Sequence, residues 1–148
     1  MEERERGTKA RRHEGTKGKK GHTSMSNIRT HRDLIAWQLG MRLAKEIYRV
    51  TRGMPKQELF GLTSQMRRAA ISIPSNIAEG YGRGTTKDYL KHLRISRGSI
   101  SELSTQYELA ITLEMLSTNK QLWDLLEEAD RVLQGLIRSI QPRKYKTM

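Results

Sequence analysis

Apolar residues recur every three or four positions over four long stretches of this chain, which is the spacing of one buried helix face. The first stretch continues from Thr30, the second covers about residues 58–79, the third follows Thr85 and the fourth follows Thr118. The alternation that predicts a half-buried β-strand is absent from the sequence. Because short connections between long amphipathic helices favour antiparallel neighbours, we expect an all-α fold, an antiparallel up-down four-helix bundle.

Polar pairs mark three of the predicted helix starts. The two residues of each pair are three positions apart, which is the spacing of a capping box or a related N-cap. The pairs are Thr30 with Asp33, Thr85 with Asp88, and Thr118 with Gln121. Phe60 is the only phenylalanine, and we expect it to fill the core beneath the first connection. Gly98 lies in the middle of the third helix, where glycine is unfavourable, so we expect a close helix crossing at this residue.

The second helix contains Pro74, which lacks a backbone donor and disfavours a helix interior by about 3 kcal/mol or more. We expect the side chains of Ser72, Ser75 and Asn76 to bond the carbonyls that it frees. A cluster of glycines follows and is expected to end the helix: Gly80, Gly82 and Gly84. A dinucleotide or P-loop phosphate site needs a strand before its glycines, and here a helix precedes them.

The composition indicates one domain with basic ends. Residues 1–27 are rich in Gly, Lys and Arg and nearly free of aliphatic side chains, so we expect a disordered tail. Residues 28–142 form the predicted bundle, and residues 143–148 are a basic C-terminal end. The first 24 residues are either a basic arm for nucleic acid or a segment upstream of a translation start at Met25.

The chain has no cysteine, so disulfides and thiolate metal sites are excluded. No apolar stretch is long enough to cross a bilayer, and no apolar signal segment is visible at the N-terminus, so we expect a cytoplasmic protein without a membrane partner. The histidines have no second ligand at metal spacing, so neither a metal nor another cofactor is predicted.

The net charge of +12 indicates a function, because a basic surface attracts polyanions. The alternative is a charge that serves solubility alone. The candidate nucleic-acid-binding residues form one stripe on the first helix, a second stripe on the third helix and one residue at the turn before it: Arg42, Lys45, Arg49 and Arg52; Lys87, Lys91, Arg94 and Arg97; and Arg83.

Other polar and aromatic residues have structural interpretations. Of the adjacent Arg67 and Arg68, we expect one to reach solvent or a neighbouring subunit and the other to pair with Glu58 or Glu79. Asn76 is expected to bond the backbone and Glu79 to form an ion pair. We expect Tyr81 to be an exposed aromatic beside the basic stripes. We expect Trp123, next to the fourth helix's core residues, to lie at a subunit interface.

Four segments resemble one known family. They are Asp33–Gln38, Pro55 with Glu58–Leu62, Gln65–Ala70 and Ser72–Gly80. Together they are similar to the family of 23S rRNA intervening-sequence proteins, small four-helix bundles, and the resemblance covers about residues 28–141. It implies a cyclic homopentamer around a central channel and no enzymatic activity or catalytic residues. A related branch, the accessory variability determinant of diversity-generating retroelements, pairs with a reverse transcriptase and handles RNA or DNA.

We therefore expect a non-enzymatic, homo-oligomeric accessory protein that binds RNA or DNA through basic helix faces. The implied partners are further copies of the chain, a nucleic-acid backbone, and a reverse transcriptase or another protein. The alternative is a protein–protein interaction scaffold that does not bind nucleic acid directly. Salt-dependent binding of unrelated RNA and DNA distinguishes the first function from the second.

Overall fold

The computed structural model describes residues 27–142, and four helices account for most of them. They are α1 (Ile35–Thr51), α2 (Leu62–Gly82), α3 (Thr86–Thr112) and α4 (Lys120–Ile140), with single 3₁₀ turns at His31–Asp33 and Lys56–Glu58. No strand occurs in this part of the chain, so the predicted all-α fold is confirmed. The predicted tail of residues 1–27 and the C-terminal end of residues 143–148 lie outside the described residues, apart from Asn27.

The helices pack as an antiparallel up-down bundle. Helix α2 packs against α1 and α3, and α4 packs against the same two helices, so α1 and α3 are diagonal neighbours. The α1–α2 and α3–α4 connections lie at one end of the bundle, which we call the upper end. The α2–α3 connection and the end of α4 lie at the opposite, lower end. This arrangement decides which charged helix faces can act together.

The core is formed by the inner face of each helix, as the apolar spacing predicts. Leu43 and Ile47 of α1 are fully buried. They pack with buried residues of the other three helices: Met66, Ala70, Ile73, Ile77, Leu93, Ile100, Leu103, Tyr107, Leu122, Leu126, Ala129 and Leu133. The outer faces are left to polar and charged side chains.

Helix α2 continues through Pro74. Asn76 Nδ2 donates to the carbonyl of Ser72 at 2.9 Å, so the amide bonds the backbone as expected. The carbonyl that loses its usual donor at Pro74 is that of Ala70, one turn earlier. The prediction that the Asn76 amide bonds the carbonyl freed by Pro74 is therefore wrong, because the amide bonds the Ser72 carbonyl instead.

Two helix starts differ from their prediction by a few residues. The capping box of Thr30 and Asp33 is present, but it caps the first 3₁₀ turn, and α1 begins only at Ile35 after an extended Leu34. Helix α2 begins at Leu62 instead of Glu58. The Glu58 carboxylate accepts the Leu62 N–H at 3.0 Å and so occupies an orphan donor at the helix start.

At the other two starts, the outcome is divided. Thr85 Oγ1 accepts the Asp88 N–H at 3.2 Å, which confirms the predicted cap of α3. Helix α4 is capped by Asn119, whose side chain accepts the Leu122 N–H, so the predicted cap at Thr118 is wrong by one residue. An amide oxygen at the N-cap performs the same task as a hydroxyl.

The glycine cluster ends α2 as predicted, although Gly80 itself lies inside the helix. Helix α2 ends at Gly82, and Gly84, just beyond the C-cap Arg83, has the positive φ of a C-terminal cap, at 80°. A Cβ at Gly80 would lie 2.7 Å from the Cβ of His92, so Gly80 is a crossing point of α2 and α3. A Cβ at Gly98 would meet nothing within 4 Å among the described residues, so no such crossing exists there within one chain.

Phe60 is not a core residue: 94% of it is exposed. It lies between a 3₁₀ turn and the start of α2, and neither element turns this position inward. Glycine and proline around residues 53–61 interrupt the helical register, so its spacing from the core positions of α1 and α2 carries no information about burial. The prediction that it fills the core is wrong.

Candidate nucleic-acid interface

The α1 basic stripe borders a groove between α1 and α4. Arg42, Lys45, Arg49 and Arg52 are all exposed, and the first three line the groove, which has a volume of about 490 Å³. Gln121, Leu122 and Leu125 form its α4 wall. Spacings of three and four residues place these cations along the same side of one helix.

One carboxylate, that of Glu46, lies within this stripe. It accepts two hydrogen bonds from Arg49, one at 2.9 Å and one at 2.6 Å. The hydrogen bond from Arg49 holds the pKa of Glu46 below its ordinary value. Glu46 therefore stays ionised at neutral pH and occupies Arg49, while the other cations of the α1 stripe remain available.

The α3 basic stripe lies on the N-terminal half of its helix. Lys87, Lys91, Arg94 and Arg97 are exposed, as the spacing predicts. Arg97 Nε approaches Asp130 Oδ1 of α4 at 3.3 Å. Arg94 and Arg97 also border a shallow groove of about 370 Å³ between α3 and α4.

Arg83, at the end of α2, is occupied by a neighbouring carboxylate. It pairs with Glu79 at 2.8 Å, and this hydrogen bond lowers the pKa of Glu79. Glu79 Oε1 also lies 3.6 Å from Nε2 of the buried His92. The expected ion pair of Glu79 is thereby confirmed.

Six of the nine candidate cations make no ion pair within residues 27–142. They are Arg42, Lys45, Arg52, Lys87, Lys91 and Arg94. Their side chains are exposed, so their charges face solvent and can exchange counterions for phosphate groups.

The two stripes do not form one surface in a single chain. Helix α1 lies diagonally across the bundle from α3, and α4 stands between them on the side of both grooves. The outer part of α4 carries carboxylates, among them Asp124, Glu127 and Asp130. The sequence predicts the two stripes separately, but their relation is decided by packing.

A third cationic cluster, at the upper end, was not identified from the sequence. Arg52, Lys56 and Arg67 line a mainly apolar cavity of about 330 Å³ whose floor includes Met54, Pro55 and Leu59. Lys56 comes from the 3₁₀ turn and Arg67 from α2, so no single helical spacing relates them. The signal in the sequence is compositional: five cations and one Glu occur in residues 49–68.

Arg67 is held within the chain, and not by a glutamate as expected. Its Nε donates to Thr51 Oγ1 at 2.9 Å, and its guanidinium lies 4.7 Å from the centre of the Tyr48 ring. Its neighbour Arg68 is exposed, as expected for one of the two arginines.

The aromatic candidates have partners within the chain. Tyr81 is half-buried and meets Tyr89 edge to face, with ring centres 6.0 Å apart, so it is not the freely exposed aromatic that the sequence predicts. Trp123 is also half-buried; its ring centre lies 4.9 Å from that of Tyr107, and its indole N–H donates to Thr118 Oγ1.

Within residues 27–142, no group of three His, Cys, Asp or Glu side chains could hold a metal ion. None of the four helices is long and apolar enough to cross a membrane. The candidate residues offer exposed positive charge, and this arrangement suits the binding of anions.

A comparison with protein families finds a match over most of the chain. The model of the family described as 23S rRNA-intervening sequence protein matches residues 32–138. This range includes α1, α2, α3, all but the last two residues of α4, and every candidate residue. A comparison with curated proteins found no match.

Proposed function

This chain belongs to the family of 23S rRNA-intervening sequence proteins, and from that premise we propose that it is a non-enzymatic accessory protein that binds RNA or DNA as a homo-oligomer. The proposed contacts are to the nucleic-acid backbone, made by the two basic stripes. The chain would be an accessory to an RNA or an RNA–protein complex. A reverse transcriptase is one candidate for the protein component of that complex.

The observation that supports this proposal best is the set of six exposed cations, on α1, its C-cap and α3, that make no ion pair within residues 27–142. A protein that places Lys and Arg against phosphates releases condensed counterions, so affinity falls steeply as salt rises. Backbone contacts of this kind position a protein on nucleic acid without reading its sequence. Self-association would multiply the contacts, because each copy adds both stripes.

The proposal is tested with the full-length chain and labelled RNA and DNA of unrelated sequence. Binding is measured by fluorescence anisotropy from about 50 to about 200 mM salt. We expect both nucleic acids to bind, with an affinity that falls as salt rises. Failure to bind either one, together with a stable protein partner in a pull-down, would favour the interaction scaffold instead.

A charge-reversal variant tests the assigned residues. Lys91→Glu with Arg94→Glu should weaken binding by at least about tenfold and reduce the salt slope by about 2, since two phosphate contacts are lost. The matched control is Arg131→Glu with Arg138→Glu, which changes the net charge equally on exposed positions of α4. Equal losses in both variants would show that only the overall charge matters, and would contradict the assigned stripe.

A further inference from the structure

The upper end of the bundle exposes apolar side chains that no other part of residues 27–142 covers. Phe60 is 94% exposed and Leu59 is 49% exposed, and the half-open cavity of Met54 and Pro55 adjoins them. Tyr48, on the neighbouring part of α1, is 40% exposed. A fully exposed phenylalanine is unfavourable in water, and a cluster of exposed apolar residues of this kind marks an interaction site.

The charges around this cluster are positive. Arg52, Lys56 and Arg67 border it, and the Glu58 carboxylate is engaged by the first N–H of α2. We call these residues the docking surface: Tyr48, Arg52, Lys56, Leu59, Phe60 and Arg67. Its occupant should therefore combine apolar side chains with carboxylates.

The C-terminal half of α3 has that combination. From Gly98 to Asn119 the chain contains three glutamates and no lysine or arginine. Leu109 and Leu113, which are 46% and 52% exposed, lie one turn apart on the outer side of the helix. We call this the acceptor surface, formed by Glu102, Glu108, Leu109, Leu113 and Glu114.

We propose that the docking surface of one copy of this chain binds the acceptor surface of a second copy. Both surfaces lie at the upper end, because the α1–α2 connection and the end of α3 meet there. Two parallel copies placed side by side would bring exposed Phe60 and Leu59 against Leu109 and Leu113, with cations facing glutamates. The surfaces are complementary in both polarity and charge.

The contact is heterologous, since each copy uses a different surface to meet each neighbour. Every copy added leaves one docking and one acceptor surface free, until the assembly closes. This inference rests on the self-association in the proposed function, and Arg52 is the one residue that the two surfaces share with the basic stripes. The proposed contact specifies which residues join the copies, and it predicts a pattern that a symmetric two-fold contact cannot produce.

The test uses two full-length variants, Phe60→Asp and Leu113→Asp, with masses measured by light scattering after size-exclusion chromatography. Each variant alone should have the mass of a single chain, 17.1 kDa. An equal mixture of the two should form a dimer and nothing larger, since one intact docking surface and one intact acceptor surface remain. Phe60→Ser provides a second, uncharged substitution at the same exposed position.

Matched controls lie on the same helices outside the two surfaces. Ile95 of α3 and Ile35 of α1 are 44% and 45% exposed, and Ile95→Asp or Ile35→Asp should leave the wild-type mass unchanged. Circular dichroism checks that helicity is retained in all variants.

Several outcomes would overturn the inference. The inference is contradicted when either surface variant keeps the wild-type mass. It is also contradicted when the mixture of the two variants stays at the mass of a single chain. Phe60→Asp that weakens RNA binding while its mass is unchanged would assign the docking surface to nucleic acid. A wild-type chain that is monomeric at all concentrations would reject self-association, while the anisotropy assay would still decide nucleic-acid binding.

Discussion

Gly80 of α2 faces α3, whereas Gly98 of α3 faces outward, and the two glycines differ in what surrounds them. An added Cβ at Gly80 would also lie 3.2 Å from the carbonyl oxygen of Tyr89, which belongs to the rigid backbone of α3. At Gly98 the same atom would have open space. The absence of a side chain is therefore a packing requirement at the first residue and a cost to helix stability at the second.

We expect Gly80→Ala to destabilise the fold by about 1–3 kcal/mol, because the helices must separate to admit a methyl group. Gly98→Ala should instead stabilise it by up to about 1 kcal/mol, through helix propensity alone. Urea unfolding of both variants measures the two free energies. Equal effects of the same sign would contradict the crossing at Gly80.

The titration of Asp33 makes the stability of the fold depend on pH. Hydrogen bonds from the N–H groups of Arg29 and Thr30 lower its pKa from the ordinary 3.8. A carboxyl whose pKa is lower in the folded state stabilises the fold above its unfolded pKa, and this contribution is lost as the pH falls through the folded pKa.

Asp33→Asn should therefore reduce the loss of stability on acidification below about pH 4, since the variant side chain does not titrate. Unfolding by urea at neutral and acidic pH measures the difference. The control is Asp124→Asn, which alters an exposed surface pair with Lys120. A wild-type Asp33 pKa at or above 3.8 in an NMR titration would refute the predicted direction.

At the scale of elements, buried polar side chains join helices that apolar packing alone would leave free to slide. Ser96 is fully buried in α3 and donates to the Ile73 carbonyl of α2 at 2.8 Å. Gly40 of α1 lets Pro74 of α2 approach, since an added Cβ would lie 3.3 Å from the proline ring. The proline turn of α2 is thus supported from both neighbouring helices.

Tyr107 fixes the connection from α3 to α4. Its ring is fully buried, and its hydroxyl accepts the Asn119 N–H at 2.9 Å and lies 3.4 Å from the Ser117 carbonyl, to which it donates. Burial raises the pKa of this phenol above its ordinary value.

We expect Tyr107→Phe to cost about 1 kcal/mol of stability, because the ring still fills the core but the hydrogen bond to the N-cap residue of α4 is lost. Tyr89→Phe is the matched control: burial raises the pKa of Tyr89 to about 12, and no partner for its hydroxyl occurs within residues 27–142. Thermal unfolding compares them. A larger loss for Tyr89→Phe would contradict this account of the connection.

At the scale of the whole molecule, the bundle separates its charges. The α1 and α3 stripes lie on diagonal helices, and the acidic half of α3 is at the opposite end from its basic half. Short nucleic acids would then contact one stripe at a time on each copy. Longer ones would gain by reaching several stripes.

We expect the α1 pair Arg42→Glu with Lys45→Glu and the α3 pair Lys91→Glu with Arg94→Glu to reduce independently the binding of a single strand long enough to contact both stripes. The free-energy losses of the combined variant should add within about 0.5 kcal/mol, as for distant sites. Anisotropy titrations at one salt concentration measure all three variants. Strong coupling would show that the stripes of one or more copies form a continuous site.

The helical class, the number of helices and the exposed positions of the basic stripes were all predictable from the sequence. Each depends on local periodicity, because the 3.6-residue repeat places apolar residues on one face and cations on another regardless of the partner helix. The cap at Thr85 was predictable for the same reason, since its hydrogen bond spans only three residues.

Tertiary structure alone decided which faces meet. The exposure of Phe60, the crossing at Gly80, the bonds of Arg67 to α1 and the diagonal placement of the stripes all join residues from different elements. Such contacts depend on the order in which helices surround the core and on the path of each connection. A pattern that repeats within one helix contains neither, so these features could be known only once the chain was folded.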